Sequence, residues 1–186
     1  MRWYQDILRN GMASPDAVFS WAWLSDTWNN GQWIRAIRNS FFIGICATLL
    51  STALGTLAAI GLSRSEMPYR RLIMSVLISP MIVPLVITAA GMFYFYSKVH
   101  LSQTYLGVIM AHAVLGTPFV IITVTATLVG FDKSLVRASQ SLGAGALTTF
   151  RKVQMPLIIP GVISGGLFAF ITSFDEVVAV LFLASP

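Results

Sequence analysis

The stretch Val99–Gly130, VHLSQTYLGVIMAHAVLGTPFVIITVTATLVG, contains no Asp, Glu, Lys or Arg. A helix that crosses a bilayer needs roughly 20 mostly apolar residues, at about 1.5 Å rise per residue. Three further charge-free stretches meet that requirement: Asn39–Ser63, Leu72–Ser97 and Val153–Phe174. Backbone amides in hydrocarbon must be hydrogen-bonded within their own segment, and these stretches lack the apolar–polar alternation of barrel strands. All four are therefore predicted to be membrane-spanning helices.

The composition of the whole chain agrees with this interpretation. Of the 186 residues, 56% are hydrophobic and 10% are charged, whereas soluble domains carry about 25% charged residues. The excess apolar surface must face lipid. We predict an all-α, polytopic membrane protein with its transmembrane domain at residues 39–186.

The N-terminal segment, residues 1–38, differs from the rest of the chain because it contains all the tryptophans. Tryptophan prefers the headgroup zone, which favours an external segment lying at the membrane surface. An ordinary extramembrane subdomain with a few anchoring residues is an equal alternative. The tryptophans are Trp3, Trp21, Trp23, Trp28 and Trp33.

The positions of the basic residues predict the orientation. They gather in the first and third connections between spans, whereas the second connection has only Lys98. Alternation places the first and third connections on one side, which the positive-inside rule makes cytoplasmic. This pattern accounts for the net charge of +5 without a nucleic-acid partner. The residues are Arg64, Arg70 and Arg71 in the first connection and Lys133, Arg137, Arg151 and Lys152 in the third; Arg35 and Arg38 on the opposite side weaken the bias without reversing it.

The third connection, residues 131–156, is the longest. Residues 134–142 can form a helix with Asp132 as its cap, and residues 146–155 can form a second helix that ends before Pro156. Gly143 and Gly145 separate the two. A helix–turn–helix on the cytoplasmic face predicts a docking surface.

Prolines and small residues mark bends and close contacts in the spans. The second span, residues 72–96, contains Pro80 and Pro84 and is predicted to be one bent helix. Small residues recur on the first span, residues 40–63, and form a GxxxG pair in the fourth, which begins near Leu157; both predict close helix packing. They are Ala47, Ser51, Gly55 and Ala59, and then Gly161 and Gly165.

Adjacent acids, Asp175 and Glu176, are the sharpest chemical feature. A carboxylate at the bilayer centre costs about 2.5–3.5 kcal/mol. Asp175 lies about 27 Å along a continuous helix from Leu157, near the external edge of the hydrocarbon. We favour a carboxylate that faces a cavity and attracts a cationic solute over one that snorkels or pairs with another helix. For His112 in the third span, a hydrogen bond to a neighbouring helix is preferred over a proton relay.

Motifs of enzymes do not occur in the sequence. There is no GxxxxGK[ST] phosphate loop, and neither a metal-ligand cluster nor a nucleophile–base arrangement stands out. We expect no catalytic residue, cofactor or metal on this chain.

Two segments carry a resemblance to a known family. RASQSLG, Arg137–Gly143, continues to VQMP at residues 153–156 and resembles the EAA loop of ATP-binding-cassette importer permeases. Ala138, Gly143 and Pro156 match that pattern at its spacing, whereas Arg137 and Ser139 replace its Glu and second Ala. SFDEVVAVLFLASP, Ser173–Pro186, is similar to the corresponding segment of spermidine/putrescine-type permeases, and the resemblance extends from about Ile34 to the end.

The resemblance implies a type I importer permease in the bacterial inner membrane, moving polyamines or a related small cation. Its partners would be cytoplasmic ATPase subunits that bind ATP and Mg²⁺, a second permease subunit and an external solute-binding protein. Such permeases usually have six spans, so we expect the first and last to be missing here. The resemblance implies an ATPase-coupling loop containing Arg137, Ala138, Ser139, Gly143, Ala144, Arg151 and Pro156, and a solute pathway containing Ser173, Phe174, Asp175 and Glu176.

Two other functions remain as alternatives. An ion-coupled secondary transporter could use Asp175 or Glu176 as its coupling acid, and a membrane scaffold could use the small residues for assembly. Neither needs an ATPase-docking elbow, so the EAA-like loop argues against both. Arg151 and Lys152 could contact the ATPase or anchor the chain at the cytoplasmic surface, and the sequence favours neither interpretation.

Overall fold

The computed structural model describes residues 21, 25, 28, 31–64, 67–130, 132 and 134–184, and within them the regular structure is helical. The predicted all-α fold is confirmed. A π-helical turn, Phe150–Gln154, joins α6 to α7. The helices are α1 (Gln32–Leu62), α2 (Arg70–Ile82), α3 (Leu85–Lys98), α4 (Tyr105–Val129), α5 (Ser134–Ser141), α6 (Ala146–Thr149), α7 (Met155–Asp175) and α8 (Val178–Leu183).

The chain divides into two compact units, residues 1–43 and 44–186, and the contacts described below lie within the second. Most of the predicted external segment, residues 1–38, lies outside the described residues. Its described tryptophans, Trp21 and Trp28, are exposed. A surface location for this segment stays a prediction.

Within the part of the chain that the structure describes, three helical segments are long and apolar enough to cross a membrane: residues 34–62, α4, and the continuous helix Ala146–Asp175. The second predicted span differs from the expectation. Residues 72–96 do not form one bent helix, because α2 and α3 meet at an angle of 103°.

Contacts between α1 and α4 show that the α2–α3 pair crosses the bundle. The Ser51 hydroxyl of α1 donates to the Ala113 carbonyl of α4 at 3.1 Å. One turn later on α1, Gly55 lies against Val120 of α4. The numbers of the contacting residues therefore increase together along α1 and α4, so these two helices are parallel. Residues 63–104 must begin at one end of the bundle and finish at the other, so α2 and α3 are a broken span.

We name the two ends of the bundle after charged residues that they contain. The first, which we call the basic end, comprises residues 63–64, 67–69, 130, 132 and 134–154. The other, which we call the acidic end, comprises residues 99–104 and 175–177. Helix α7 runs antiparallel to α4, since Gly161 lies beside Thr127 and Gly165 beside Thr123.

Pro80 lies inside α2, whereas α2 ends just before Pro84. Proline has no N–H, so it frees the carbonyl four residues earlier. For Pro80 this is the carbonyl of Val76, and the Ser79 hydroxyl donates to it at 2.7 Å. Val83, which precedes Pro84, has no hydroxyl, and its backbone is extended, as is usual before proline.

Small residues allow close helix packing, as predicted. Gly161 and Gly165 bring α7 against α4, and a Cβ at either position would meet Thr127 or Thr123. The predicted stripe on α1 is also buried: Ala47, Ser51, Gly55 and Ala59. Ala59 joins a core cluster with Val120, Val124, Ile158 and Ala169.

The predicted helix end before Pro156 is wrong, whereas α7 begins at Met155, two residues before the predicted start of the fourth span near Leu157. The Met155 N–H donates to the carbonyl of Phe150, five residues earlier, which makes the turn wider than an α-helical one. Pro156 then occupies the first turn of α7, where its missing N–H and fixed φ are tolerated. Helical structure continues from Ala146 to Asp175.

Candidate functional site

The predicted coupling segment at the basic end begins with a capped helix. The Asp132 carboxylate accepts hydrogen bonds from the Ser134 hydroxyl at 2.6 Å and from the Ser134 N–H at 2.8 Å. These two bonds, the hydroxyl bond first, lower the pKa of the Asp132 carboxyl. The predicted cap is confirmed, and α5 ends one residue earlier than expected.

Gly143 ends α5 in a left-handed conformation, with φ at 82°. Its N–H donates to the Gln140 carbonyl at 2.9 Å, and the Ala144 N–H donates to the Ser139 carbonyl at 3.1 Å. These two bonds are those of a Schellman motif, in which glycine is preferred because it has no Cβ. The chain therefore reverses sharply between α5 and α6.

A pair of hydroxyls holds the two arms of this turn together. The hydroxyl oxygens of Ser139 on α5 and Thr149 on α6 lie 2.8 Å apart, and Thr149 is buried. Ser139 stands where the resembled pattern has alanine, so this bond is specific to the present sequence. Sequence reasoning missed Thr149 because the turn that brings it close cannot be seen in residue spacing.

We call residues 134–154 the elbow. Among the predicted coupling residues in or next to it, Ser139 and Ala144 are half-buried. The others are exposed: Arg137, Ala138, Gly143, Arg151 and Pro156. Leu142 and Leu147 expose 89% and 70% of their surface. The elbow thus presents a mixed basic and apolar surface, which suits binding to another protein.

At the acidic end, Ser173 of α7 is buried and lies next to His112 of α4. The Ser173 hydroxyl oxygen is 2.8 Å from His112 Nδ1. His112 exposes only 3% of its surface. The predicted hydrogen bond between His112 and a neighbouring helix is confirmed, and it links α4 to α7 inside the bundle.

The residues that follow Ser173 face different surroundings. Phe174 is exposed and stacks on Phe170, with ring centroids 5.7 Å apart. Asp175 is the exposed last residue of α7. Glu176 is half-buried, and its carboxylate accepts a hydrogen bond from the Ala179 N–H in α8 at 2.8 Å. The predicted pathway segment therefore does not lie on one face, and Asp175 is its exposed carboxylate.

The structure groups the predicted residues at opposite ends of one helical segment. The elbow includes the beginning of the continuous helix Ala146–Asp175, and the two acids lie at or beyond its end. In the described part of the chain, no three His, Cys, Asp or Glu side chains gather into a group that could hold a metal ion. The continuous helix therefore joins the exposed elbow at one end to the exposed Asp175 carboxylate at the other.

Comparison with known proteins identifies related sequences. Residues 51–186 match the family model described as binding-protein-dependent transport system inner membrane component. The spermidine/putrescine transport system permease protein PotC of Haemophilus influenzae is 32% identical over 166 residues, which cover 89% of this chain and 65% of that protein. The Escherichia coli K12 protein of the same name is 27% identical over 168 residues, covering 90% and 64%.

A relative named for a different solute is similarly close. The sulfate transport system permease protein CysT of Salmonella typhimurium is 31% identical over 177 residues, which cover 89% of this chain and 64% of that protein. The chain spans just under two-thirds of the length of each of these three relatives.

Proposed function

This chain belongs to the family of binding-protein-dependent transport system inner membrane components, and from that membership we propose that it is a permease subunit of an ATP-driven importer. ATP and Mg²⁺ would bind to cytoplasmic partner chains of the ATP-binding-cassette type, which would carry out hydrolysis. A second permease subunit would complete the pathway, and an external binding protein would deliver the solute. The chain's helices would cross the bacterial inner membrane.

The observation that carries this proposal is the elbow at the basic end. Its shape is fixed by the Asp132 cap, the turn at Gly143 and the hydroxyl pair of Ser139 and Thr149. Its surface is exposed, and it lies at the end that the positive-inside rule assigns to the cytoplasm. A fixed and exposed surface on that side is what an ATPase needs for docking.

Continuity of the helix from Ala146 to Asp175 supports coupling between the elbow and the pathway. A movement of the ATPase would shift α6, and the π-helical turn would transmit that shift past Pro156 into α7. Since α7 packs tightly on α4 through Gly161 and Gly165, both helices would move together. This would open one end of the bundle as the other closes, as alternating access requires.

For the solute, we propose a small organic cation of the polyamine class. Family membership alone does not decide the charge of the solute, since two relatives of similar identity are named for spermidine/putrescine and for sulfate. The exposed carboxylate of Asp175 supports a cation because it would attract an ammonium group and repel an anion. Glu176 gives less direct support for a cationic solute, because its carboxylate already caps α8.

Two matched glycines in the elbow test the ATPase-docking proposal. Gly143 has a left-handed backbone, whereas Gly145 has an ordinary φ of −66°. A Cβ would meet no atom within 4 Å at either position. Gly143→Ala should therefore distort the elbow by backbone strain alone, at a cost of about 1–2 kcal/mol, and Gly145→Ala should leave it intact.

The measurement is co-purification of an ATPase with each variant from native membranes. We expect the unmodified protein and Gly145→Ala to retain the ATPase and Gly143→Ala to lose most of it. Gly143→Asp, which adds a charge at the same point, should lose it entirely. If no ATPase accompanies even the unmodified protein, and uptake depends on a proton gradient instead of ATP, an ion-coupled transporter would replace this proposal.

A further inference from the structure

The break between α2 and α3 leaves backbone carbonyls without hydrogen-bond donors. Pro84 has no N–H to offer, and the chain turns by 103° at this point. Around the break, Val83 N–H donates to the Ser79 carbonyl, and Ile87 N–H to the Pro84 carbonyl. Among the described residues no backbone N–H outside the helices donates to the carbonyls at the end of α2, which belong to Pro80, Met81 and Ile82, or to the carbonyl of Val83 that follows them.

If Arg70 and Lys98 lie at opposite surfaces of the membrane, the break lies between those surfaces. Helix α2 extends at most about 18 Å from Arg70 to the break, and α3 extends about 20 Å from the break to Lys98. No charged residue occurs between these two basic positions apart from Arg71 beside the first. At such a depth, irregular backbone is tolerated only where protein covers it or where it lines a water-filled cavity.

None of the described residues covers the break fully: Ile82 exposes 75% of its surface and Val83 exposes 40%. A covering helix from a partner would have few free backbone donors for these carbonyls, because its own N–H groups are already bonded. Water and solute ammonium groups in a pathway do have free donors, so a position beside the pathway satisfies these carbonyls best.

Two further features associate the break with a cation. The carbonyl end of a helix carries the negative end of its dipole, and broken helices in transporters place such ends at cation sites. Helix α3, which starts at the break, packs against α8, which follows Asp175 and Glu176 closely in the chain. In addition, Thr88, one turn beyond the break, has a buried hydroxyl without a hydrogen-bond partner in the structure.

We propose that the carbonyl oxygens of Pro80, Met81 and Ile82 bind an ammonium group of the solute part-way along the pathway that begins at Asp175. The proposal rests on the function proposed above. A primary ammonium group has three N–H donors, and the free carbonyls at the break can accept them. The break at Pro84 is then a binding feature, since proline has no N–H to donate to the Pro80 carbonyl.

Cysteine labelling in the assembled complex tests this site. Cys46 is the only cysteine, so Cys46→Ser provides a background without thiols in this chain. In that background, Val83→Cys should react with a membrane-impermeant thiol reagent, and putrescine, but not sulfate, should slow the reaction at least about fivefold. Leu49→Cys serves as the matched control, because Leu49 is exposed but lies in the continuous helix α1 and should stay unlabelled. An unreactive Val83→Cys, or one that putrescine does not protect, would overturn the site.

Putrescine uptake by the Pro84→Ala variant provides a second test of the site. An alanine N–H can donate to the Pro80 carbonyl, so one acceptor is lost, and the putrescine concentration for half-maximal uptake should rise about tenfold or more. Unchanged half-saturation in Pro84→Ala would also refute the site. If membranes with the unmodified protein take up no putrescine, the proposed function fails together with the ammonium site. If they take it up but Val83→Cys is not protected, only the site at the break is wrong.

Discussion

Replacement of Gly165 by alanine tests whether α4 and α7 pack by direct backbone contact. A Cβ at this position would lie 2.8 Å from the Cα of Val120 and would also meet the Thr123 hydroxyl. A backbone atom cannot rotate away, so the two helices must separate. Overpacking of this kind costs about 1–3 kcal/mol, and we expect the upper half of that range. Alanine regains about 1 kcal/mol of helix propensity over glycine, which leaves a net loss of about 1–2 kcal/mol.

The matched control is Gly91→Ala in α3, where a Cβ would meet no atom within 4 Å. It should gain up to about 1 kcal/mol from helix propensity alone. The half-buried thiol of Cys46 reports unfolding when the chain is heated in detergent with a thiol-reactive dye. At roughly 2–4 °C per kcal/mol, Gly165→Ala should lower Tm by about 2–8 °C. A Tm that rises as much as in Gly91→Ala would refute backbone contact between α4 and α7.

Three further predictions concern the two ends of the bundle. Asp175→Asn should raise the putrescine concentration for half-maximal uptake about tenfold or more. Glu176→Gln should have a smaller effect, because its amide oxygen can still cap α8. Equal effects of the two variants would contradict the role of Asp175 as the carboxylate that attracts the solute. Ser139→Ala and Thr149→Val should each destabilise the elbow by about 0.5–1.5 kcal/mol, and the double variant should cost little more, as measured by hydrogen exchange. The pKa of the Asp132 carboxyl is lowered, so Asp132 should stabilise α5 above about pH 4 and lose this effect as pH falls through the lowered pKa. Hydrogen exchange of α5 should detect that loss. Asp132→Asn should abolish the pH dependence.

The helices that the sequence predicts well are those whose ends have local signals. The charge-free stretch Val99–Gly130 was predicted to span the membrane, and α4 occupies Tyr105–Val129 within it. Its start is marked by Thr104, whose hydroxyl accepts a hydrogen bond from the Gly107 N–H at 3.0 Å. The break in the second span was missed because proline alone does not decide it. Pro80, Pro118 and Pro160 all lie inside helices, so a proline in an apolar stretch does not by itself mark a break.

The candidate site could be predicted in part for similar reasons. The turn at Gly143 follows from local spacing, and so does the Asp132 cap. The bond between Ser139 and Thr149 depends on how sharply the chain reverses, which spacing does not give. The different surroundings of Asp175 and Glu176 arise because α7 ends between them, so helical periodicity cannot be extended from one acid to the other.

In the proposed importer, the length of the continuous helix would place the elbow outside the membrane and would connect it to the pathway. Helix α7 has 21 residues and rises about 30 Å, which equals the thickness of the hydrocarbon core. If Asp175 lies at the external edge, Met155 lies at the internal edge. Residues 146–154 then extend about 14 Å further into the cytoplasm, and the exposed Arg151 and Lys152 belong to that extension. Pro156 falls at the membrane boundary, where a break would disconnect docking from transport. The π-helical turn at residues 150–154 keeps the helix continuous at that point.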